Sequence, residues 1–414
     1  MSRANRWLLP DGVKEVLPPE AARIEGLRRT VVDLYQAWGY DLVMPPLIEY
    51  IDSLLIGTGD DLDLATFKVI DQKTGRTMGI RADITPQVAR IDAHSIDCDG
   101  INRLCYSNTV LHTSAANPLA SRSPLQVGAE LYGHAGIDSD LEVISLMLET
   151  LTSVGIKHPI TLDLGHVSIY RGLVSALGLA DDDERELFNL LQSKAVADID
   201  ALVSAMDLTD EAKAIFSQLP RLYGEASVLD KAGQLFGHVC QEVTDAIEYL
   251  RSLAKAVSER FPQVTLYFDL AELRGYEYHT GVVFAALTPA FGQAIAKGGR
   301  YDDIGKVFGR ARPATGFSAD LKVLSELSEV LCIESDAIAM PVEATLTNEQ
   351  RQSLWQVQSK LRLEGERLVA QLAHSAASKE CSRQLVWQNN AWKIVPAAVS
   401  YTHLRAHETP EHLV

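Results

Sequence analysis

The sequence predicts an α+β fold: an antiparallel sheet flanked by helices, with a helical insertion and a short C-terminal α/β segment. Three observations lead there. Strand signals in the first 165 residues stop and then resume at 264–269 and 281–287. Between them, residues 166–261 read as almost wholly helical. From about 337 to 395, strand and helix patterns alternate. Strands interrupted by a helical block and then resumed fit a core that carries an insertion. The expected organisation is a core of 1–165 and 262–328, an insertion at 166–261, a small α/β domain at 333–398 and a tail at 399–414.

Taken in order, residues 20–38 form an amphipathic helix, because Ile24, Leu27, Val31, Tyr35 and Trp38 recur at spacings of three and four. Gly39 closes it, and a strand at Tyr40–Val43 ends at Pro45-Pro46. Residues 66–71 and 76–82 alternate as a hairpin around Lys73–Gly75. A helix spans about 140–153, with Ser139 and Glu142 spaced as a capping box. A short strand follows at 160–164, and a helix is expected from about 316. The acidic run Asp181–Glu186 reads as carboxylates complementing a helix N-terminus rather than as a metal site. His403 and His407 lie four apart in the tail, but no third ligand accompanies them, so no metal is expected there. The string SYTHLRAHETPEHLV resembles translated adapter read-through, and the tail is expected to be non-native.

Composition narrows the function classes. The 414 residues carry 38 basic and 55 acidic side chains, a net charge of −17, with 47% hydrophobic residues. A chain this apolar has a core to bury and is not disordered. No apolar run approaches the ~18 residues that a membrane helix needs. The N-terminus lacks the continuous apolar core of a signal peptide. Five cysteines form no CxxC pair, which suits a reduced cytoplasmic protein. The acidic balance argues against broad, phosphate-driven nucleic-acid binding.

Three segments could carry chemistry. In RADITPQVAR (81–90), Asp83 and Thr85 sit two apart on an expected strand end, facing one side. In SPLQVGAELYG (123–133), Gln126, Gly128 and Glu130 alternate with apolar residues, so Gln126 and Glu130 project from one face. In LRGYEYHTG (273–281), Arg274 precedes an aromatic-rich strand, and in KGGRYDD (297–303) Gly298-Gly299 permits a close backbone approach. Buried Gln and Glu need partners. A small zwitterion supplies them, and so does an internal hydrogen-bond network; spacing alone leaves both open.

Together, GYDLVMPPLIE, RADITPQVAR, QVGAELYGH, LRGYEYHTGVVFA, KGGRYDD and PATGFSADL resemble, in the same order, the histidyl-tRNA synthetase catalytic domain, over roughly residues 10–325. The resemblance implies a class II synthetase-like antiparallel sheet and a histidine pocket. In it, Asp83 (usually Glu) and Thr85 hold the ammonium, Gln126 bridges the substrate backbone and Glu130 faces the imidazole. Arg274 lies near the carboxylate, Tyr278 and Tyr301 line the pocket, and His279 stands where tyrosine is usual.

The departures point away from adenylation. Aligned without gaps, the ATP-binding arginine of the second motif falls on His112 and its companion acid on Ser114. The Glu-Arg pair of the third motif is Lys322-Val323, and Asp320 replaces a glycine. Losing one preorganised donor costs about 2.7–4 kcal/mol, or roughly 10²–10³ in rate. Arg122 remains in the second motif, available to acids at the pocket mouth. A synthetase-like chain without both ATP arginines resembles the regulatory subunits of ATP phosphoribosyltransferase, and LHTS, DITPQVARIDAH and RGYEYHTG look like their versions of the motifs. That resemblance implies a cytoplasmic protein with no catalytic residues, cofactor or metal of its own. Its partner is a short-form catalytic subunit in the first step of histidine biosynthesis, and L-histidine is its feedback effector. It also implies a dimer within a hetero-octamer, with no membrane and no tRNA. The competing readings are an active histidyl-tRNA synthetase and another catalytically silent synthetase paralogue.

Overall fold

The structure is a computed structural model that describes residues 7–56, 60–96, 99–115, 120–273, 275–276, 278–330, 337–372 and 381–397. The chain divides into two compact units, Met1–Val330 and Leu331–Val414.

The larger unit is built on a nine-stranded sheet. Its order is Asp41–Leu42, Asn102–Thr109, Leu125–Tyr132, Ala314–Asp320, Phe291–Arg300, Val282–Thr288, Thr161–His166, Thr265–Asp269 and Tyr223–Gly224. The pairings from Asn102–Thr109 through to Thr161–His166 are all antiparallel. Parallel pairs flank them, joining Asp41–Leu42 to Asn102–Thr109 and Thr161–His166 to Thr265–Asp269. The hairpin Phe67–Ile70 and Thr77–Ile80 forms a separate small sheet with Ile48–Tyr50.

The two faces of this sheet have different neighbours. Along Leu125–Tyr132, Val127, Ala129 and Leu131 join the main apolar core. That core includes Leu27 and Val31 of helix Glu20–Ala37 and Ile144 and Met147 of helix Ile137–Ser153. It continues into the helical block through Leu187, Phe216, Phe236 and Leu250. Gln126, Gly128, Glu130 and Tyr132 point the other way, as the two-residue period of a strand requires. Nearly the whole strand is buried on both faces.

The smaller unit pairs Leu368–Val369, Ile338–Ala339, Arg383–Gln388 and Ala391–Pro396 in one sheet. Its own core joins Ile338, Met340, Leu354 and Leu385, with Leu354 on helix Asn348–Leu363.

Four local expectations need correction. Ser139 is no N-cap: the helix starts at Ile137 after Gly136, and no side chain caps it. Ser139 Oγ instead takes a hydrogen bond from Arg300 at 2.8 Å, and Glu142 binds Arg103 at 2.7 Å. Residues 314–320 form a strand, because both edges find partners, and the helix begins only at Leu321. Asp83 and Thr85 do not sit on a strand; Thr85 opens the short helix Thr85–Arg90 and Asp83 lies in the bend before it. Tyr276, Tyr278 and His279 lie in turns before strand Val282–Thr288. Arg274 and residues 399–414 lie outside the described residues.

Candidate functional site

A cavity of about 680 Å³ opens over the polar face of the sheet, within the range typical of small-ligand pockets. Asp83, Thr85, Glu130, Tyr278 and Tyr301 line it together, so the structure gathers five of the seven expected residues. The side chain of Gln126 stands behind them. Its Nε2 donates to Asp83 Oδ1 at 2.8 Å, and its Oε1 accepts from the Ile84 amide at 3.0 Å. It fixes the Asp83 carboxylate in place. The Thr85 amide also donates to Asp83 Oδ1, at 3.1 Å. Among the described residues, no hydrogen bond reaches Oδ2.

Glu130 is the chemical centre of the pocket. It is 1% exposed, and each carboxylate oxygen accepts one phenol: Tyr106 at 3.0 Å on Oε1 and Tyr301 on Oε2. Two neutral donors do not replace water around a buried charge. Burial therefore raises its pKa from 4.5 to about 8, against the lowering by the Tyr301 and Tyr106 bonds, while the nearby Asp83 charge raises it further. A ligand N–H pointed at this carboxylate would supply the missing stabilisation of its charge.

Tyr106 was not legible as a site residue, yet it ties the site together. Its hydroxyl also lies 3.2 Å from Thr85 Oγ1, so one phenol spans the threonine and Glu130. The backbone makes room for it. Gly128 pairs with Tyr106 across the strands, and a Cβ there would come within 2.4 Å of the Tyr106 hydroxyl. A glycine within a strand marks such a close approach. Gly316 faces Glu130 in the same way, and its Cβ would fall 1.5 Å from Glu130 Oε2. Gly298 also closes on the neighbouring strand, with Gly316 O only 2.1 Å from where its Cβ would lie.

The aromatic wall is Tyr278 stacked on Tyr301 at 4.9 Å between centroids. The Tyr278 hydroxyl is buried without a hydrogen-bond partner among the described residues, which leaves a donor for a ligand. His279 also lines the cavity, with Nδ1 3.3 Å from the Arg300 carbonyl. Burial pushes its pKa down to about 4, so the ring is neutral near pH 7. The opposite wall comes from the helical block: Arg185, Phe188, Asn189 and Gln192 of helix Asp181–Gln192. No sequence signal marked these four, because their pattern is that of an ordinary amphipathic helix.

The positions corresponding to ATP contacts hold other chemistry. His112 Nε2 meets the Ala82 carbonyl at 2.9 Å. Val323 packs against the main core. Asp320 caps helix Leu321–Leu327, accepting from the Lys322 amide at 3.0 Å and from the Leu125 amide at 3.1 Å. Arg122 bonds the carbonyls of His112 and Asp11, each at 3.1 Å, rather than acids at the pocket mouth. Among the described residues, no group of three or more acidic, His or Cys side chains is arranged to hold a metal, and no helix is long and apolar enough to cross a membrane.

Comparison with known proteins agrees with this geometry. The family profile described as histidyl-tRNA synthetase matches residues 12–324. The ATP phosphoribosyltransferase regulatory subunit of Pseudomonas syringae pv. syringae is 51% identical over 403 residues, covering 96% of this chain and 100% of the relative. A Bacillus halodurans structure described as an ATP phosphoribosyltransferase regulatory subunit/histidyl-tRNA synthetase superposes with a TM-score of 0.79 at 25% identity, over 91% of this chain and 96% of that one. A chain of an ATP phosphoribosyl transferase complex from Thermotoga maritima shares the fold, with a TM-score of 0.56 at 19% identity over 72% of this chain and 97% of its own. By sequence over nearly its whole length, and by a sheet built like that of the synthetases, the chain belongs to the ATP phosphoribosyltransferase regulatory subunit family.

Proposed function

We propose that this protein regulates a short-form ATP phosphoribosyltransferase catalytic subunit in histidine biosynthesis, senses L-histidine in its synthetase-like pocket, and has no adenylating activity of its own. The observation that carries the reading is the contrast within one site. The amino-acid end is assembled around Glu130, Asp83 and Thr85, whereas the nucleotide positions are committed to His112, Val323 and Asp320.

The family resemblance assigns the roles, and the cavity lining supports them. Asp83 and the Thr85 hydroxyl receive the ammonium, Glu130 accepts a ring N–H, and Tyr278 presents its free hydroxyl beside it. Arg274 is assigned the carboxylate by its place in the histidine signature. Gln126 and Tyr106 hold these groups in register. Asp320 is engaged by the Leu125 and Lys322 amides, and it offers a phosphate no donor. The protein works in the cytoplasm as a dimer within a hetero-oligomer, binding neither tRNA nor membrane.

Mixing the purified chain with its short-form catalytic subunit tests the central point. Phosphoribosyl transfer to ATP should rise strongly, and histidine should suppress it. Histidine-dependent pyrophosphate exchange by the chain alone should stay at background; exchange above background would make it a synthetase. Calorimetry should show histidine binding that weakens about 10- to 100-fold in Glu130→Ala, the loss of one charge-assisted hydrogen bond. Unchanged affinity would remove the pocket from the reading.

A further inference from the structure

The pocket is bounded on one side by the histidine-signature turn, and on the other by a helix of the inserted block. Arg185, Phe188, Asn189 and Gln192 stand at i, i+3, i+4 and i+7, a single face of helix Asp181–Gln192, and all four border the cavity. Leu187 and Leu191 of the same helix are fully buried in the main core. One helix therefore touches both the occupant's space and the interior of the block.

The turn and the block are fastened at two points. The Tyr276 ring packs against Phe188 at 5.4 Å and against Tyr170 at 5.3 Å, and its hydroxyl donates to Glu184 Oε1 at 3.3 Å. Arg171, on helix Val167–Leu177, lies over the Tyr276 ring at 5.2 Å. Its Nη2 donates to the carbonyls of Tyr276 at 3.4 Å and His279 at 3.3 Å. Tyr278 and His279 face the cavity from the same turn. A ligand that orders these two side chains must act on a backbone that Arg171 and Tyr276 hold to the helical block.

We propose that Tyr276 is a positioning residue that transmits occupancy of the pocket to helix Asp181–Gln192, so that histidine orders this helix and the block behind it. The proposal deepens the histidine-sensing reading and rests on it. Binding energy spent in ordering one element can alter what a distant surface offers a partner, provided the element has two states that the ligand distinguishes. Tyr276 supplies the mechanical link, and Phe188 is the point of delivery.

Hydrogen exchange on the full-length chain reads this directly. Each protein is compared with and without L-histidine at a concentration that saturates its own affinity, as measured by calorimetry. In the wild type, histidine should slow exchange of amides in 181–192 by at least about 5-fold. Tyr276→Phe, which keeps the ring contacts, should preserve the slowing. Tyr276→Ala should bind histidine without slowing those amides. Should Tyr276→Ala fail to fold, Phe188→Ala removes the other half of the ring contact and should give the same loss. Slowing that persists in the alanine variants overturns the proposal, as does a wild type that binds histidine with no change in 181–192. Absence of any histidine binding by the wild type overturns the pocket reading first, and the coupling with it.

Discussion

Glu130 carries a pH dependence that the fold must show. Its carboxyl takes up protons near pH 8 in the folded pocket and near 4.5 when the chain unfolds. Between those values the native state binds more protons, so stability falls as pH rises through that window. Thermal melts of the unliganded protein from pH 5 to 8.5 should show this decline, and Glu130→Gln, which cannot ionise, should flatten it. Gly316→Ala should fail by sterics, because the new methyl would overlap Glu130 Oε2. A loss of about 1–3 kcal/mol is expected for such overpacking, read by chemical denaturation, together with weakened histidine binding. At this scale the sequence was informative where motifs held the residues. Motifs name Asp83, Thr85, Glu130, Tyr278 and Tyr301, and the structure brings these five to one cavity. Tyr106 and Phe188 are not named, since each reaches the site only through pairing and packing that no local pattern records.

Among the elements, helix Glu20–Ala37 and the hairpin were legible from period alone. Helix Ile137–Ser153 was legible too, but its first turn was misread. Ser139 has the spacing of a cap, yet its hydroxyl is taken by Arg300, far away in sequence. The same guanidinium pairs with Asp140 at 3.0 Å, where Asp140 is 0% exposed. Tyr249, from helix Gln241–Arg260 of the inserted block, hydrogen-bonds the same carboxylate. Asp140→Asn would leave the buried Arg300 guanidinium with only the partly exposed Asp302, at 3.2 Å, as counter-charge. Removing one partner of a buried pair costs about 3–5 kcal/mol, so urea titration should show the larger unit destabilised by that order. Strand Ala314–Asp320 was mistaken for the start of a helix for a related reason: its identity comes from the two strands beside it, not from its own residues.

For the whole molecule, each unit has its own apolar core, one spread through Met1–Val330 and one around Ile338, Met340, Leu354 and Leu385. Separate cores predict separate melting. Calorimetry of the full chain should resolve two transitions, and deleting 331–414 should move the larger one by less than about 4 °C. A greater shift would mean that the units support each other. The net charge of −17 is a property of the whole sequence. Within the cavity the Glu130 carboxyl is met by two phenols, and under the proposed reading it would favour a small guest that offers an N–H.

Asp320 gives the molecule a direction in sequence space. It joins the start of one strand to the first turn of the next helix, and three residues on Val323 lies against the packed interior. A glycine at position 320 would undo that clasp, and an arginine at position 323 would force a guanidinium into a layer fitted for a branched aliphatic. Each single change would weaken the fold before any nucleotide could repay it. Under the regulatory reading, the present arrangement works as a ratchet: drift can refine the sensor, but the path back to a synthetase begins with a climb.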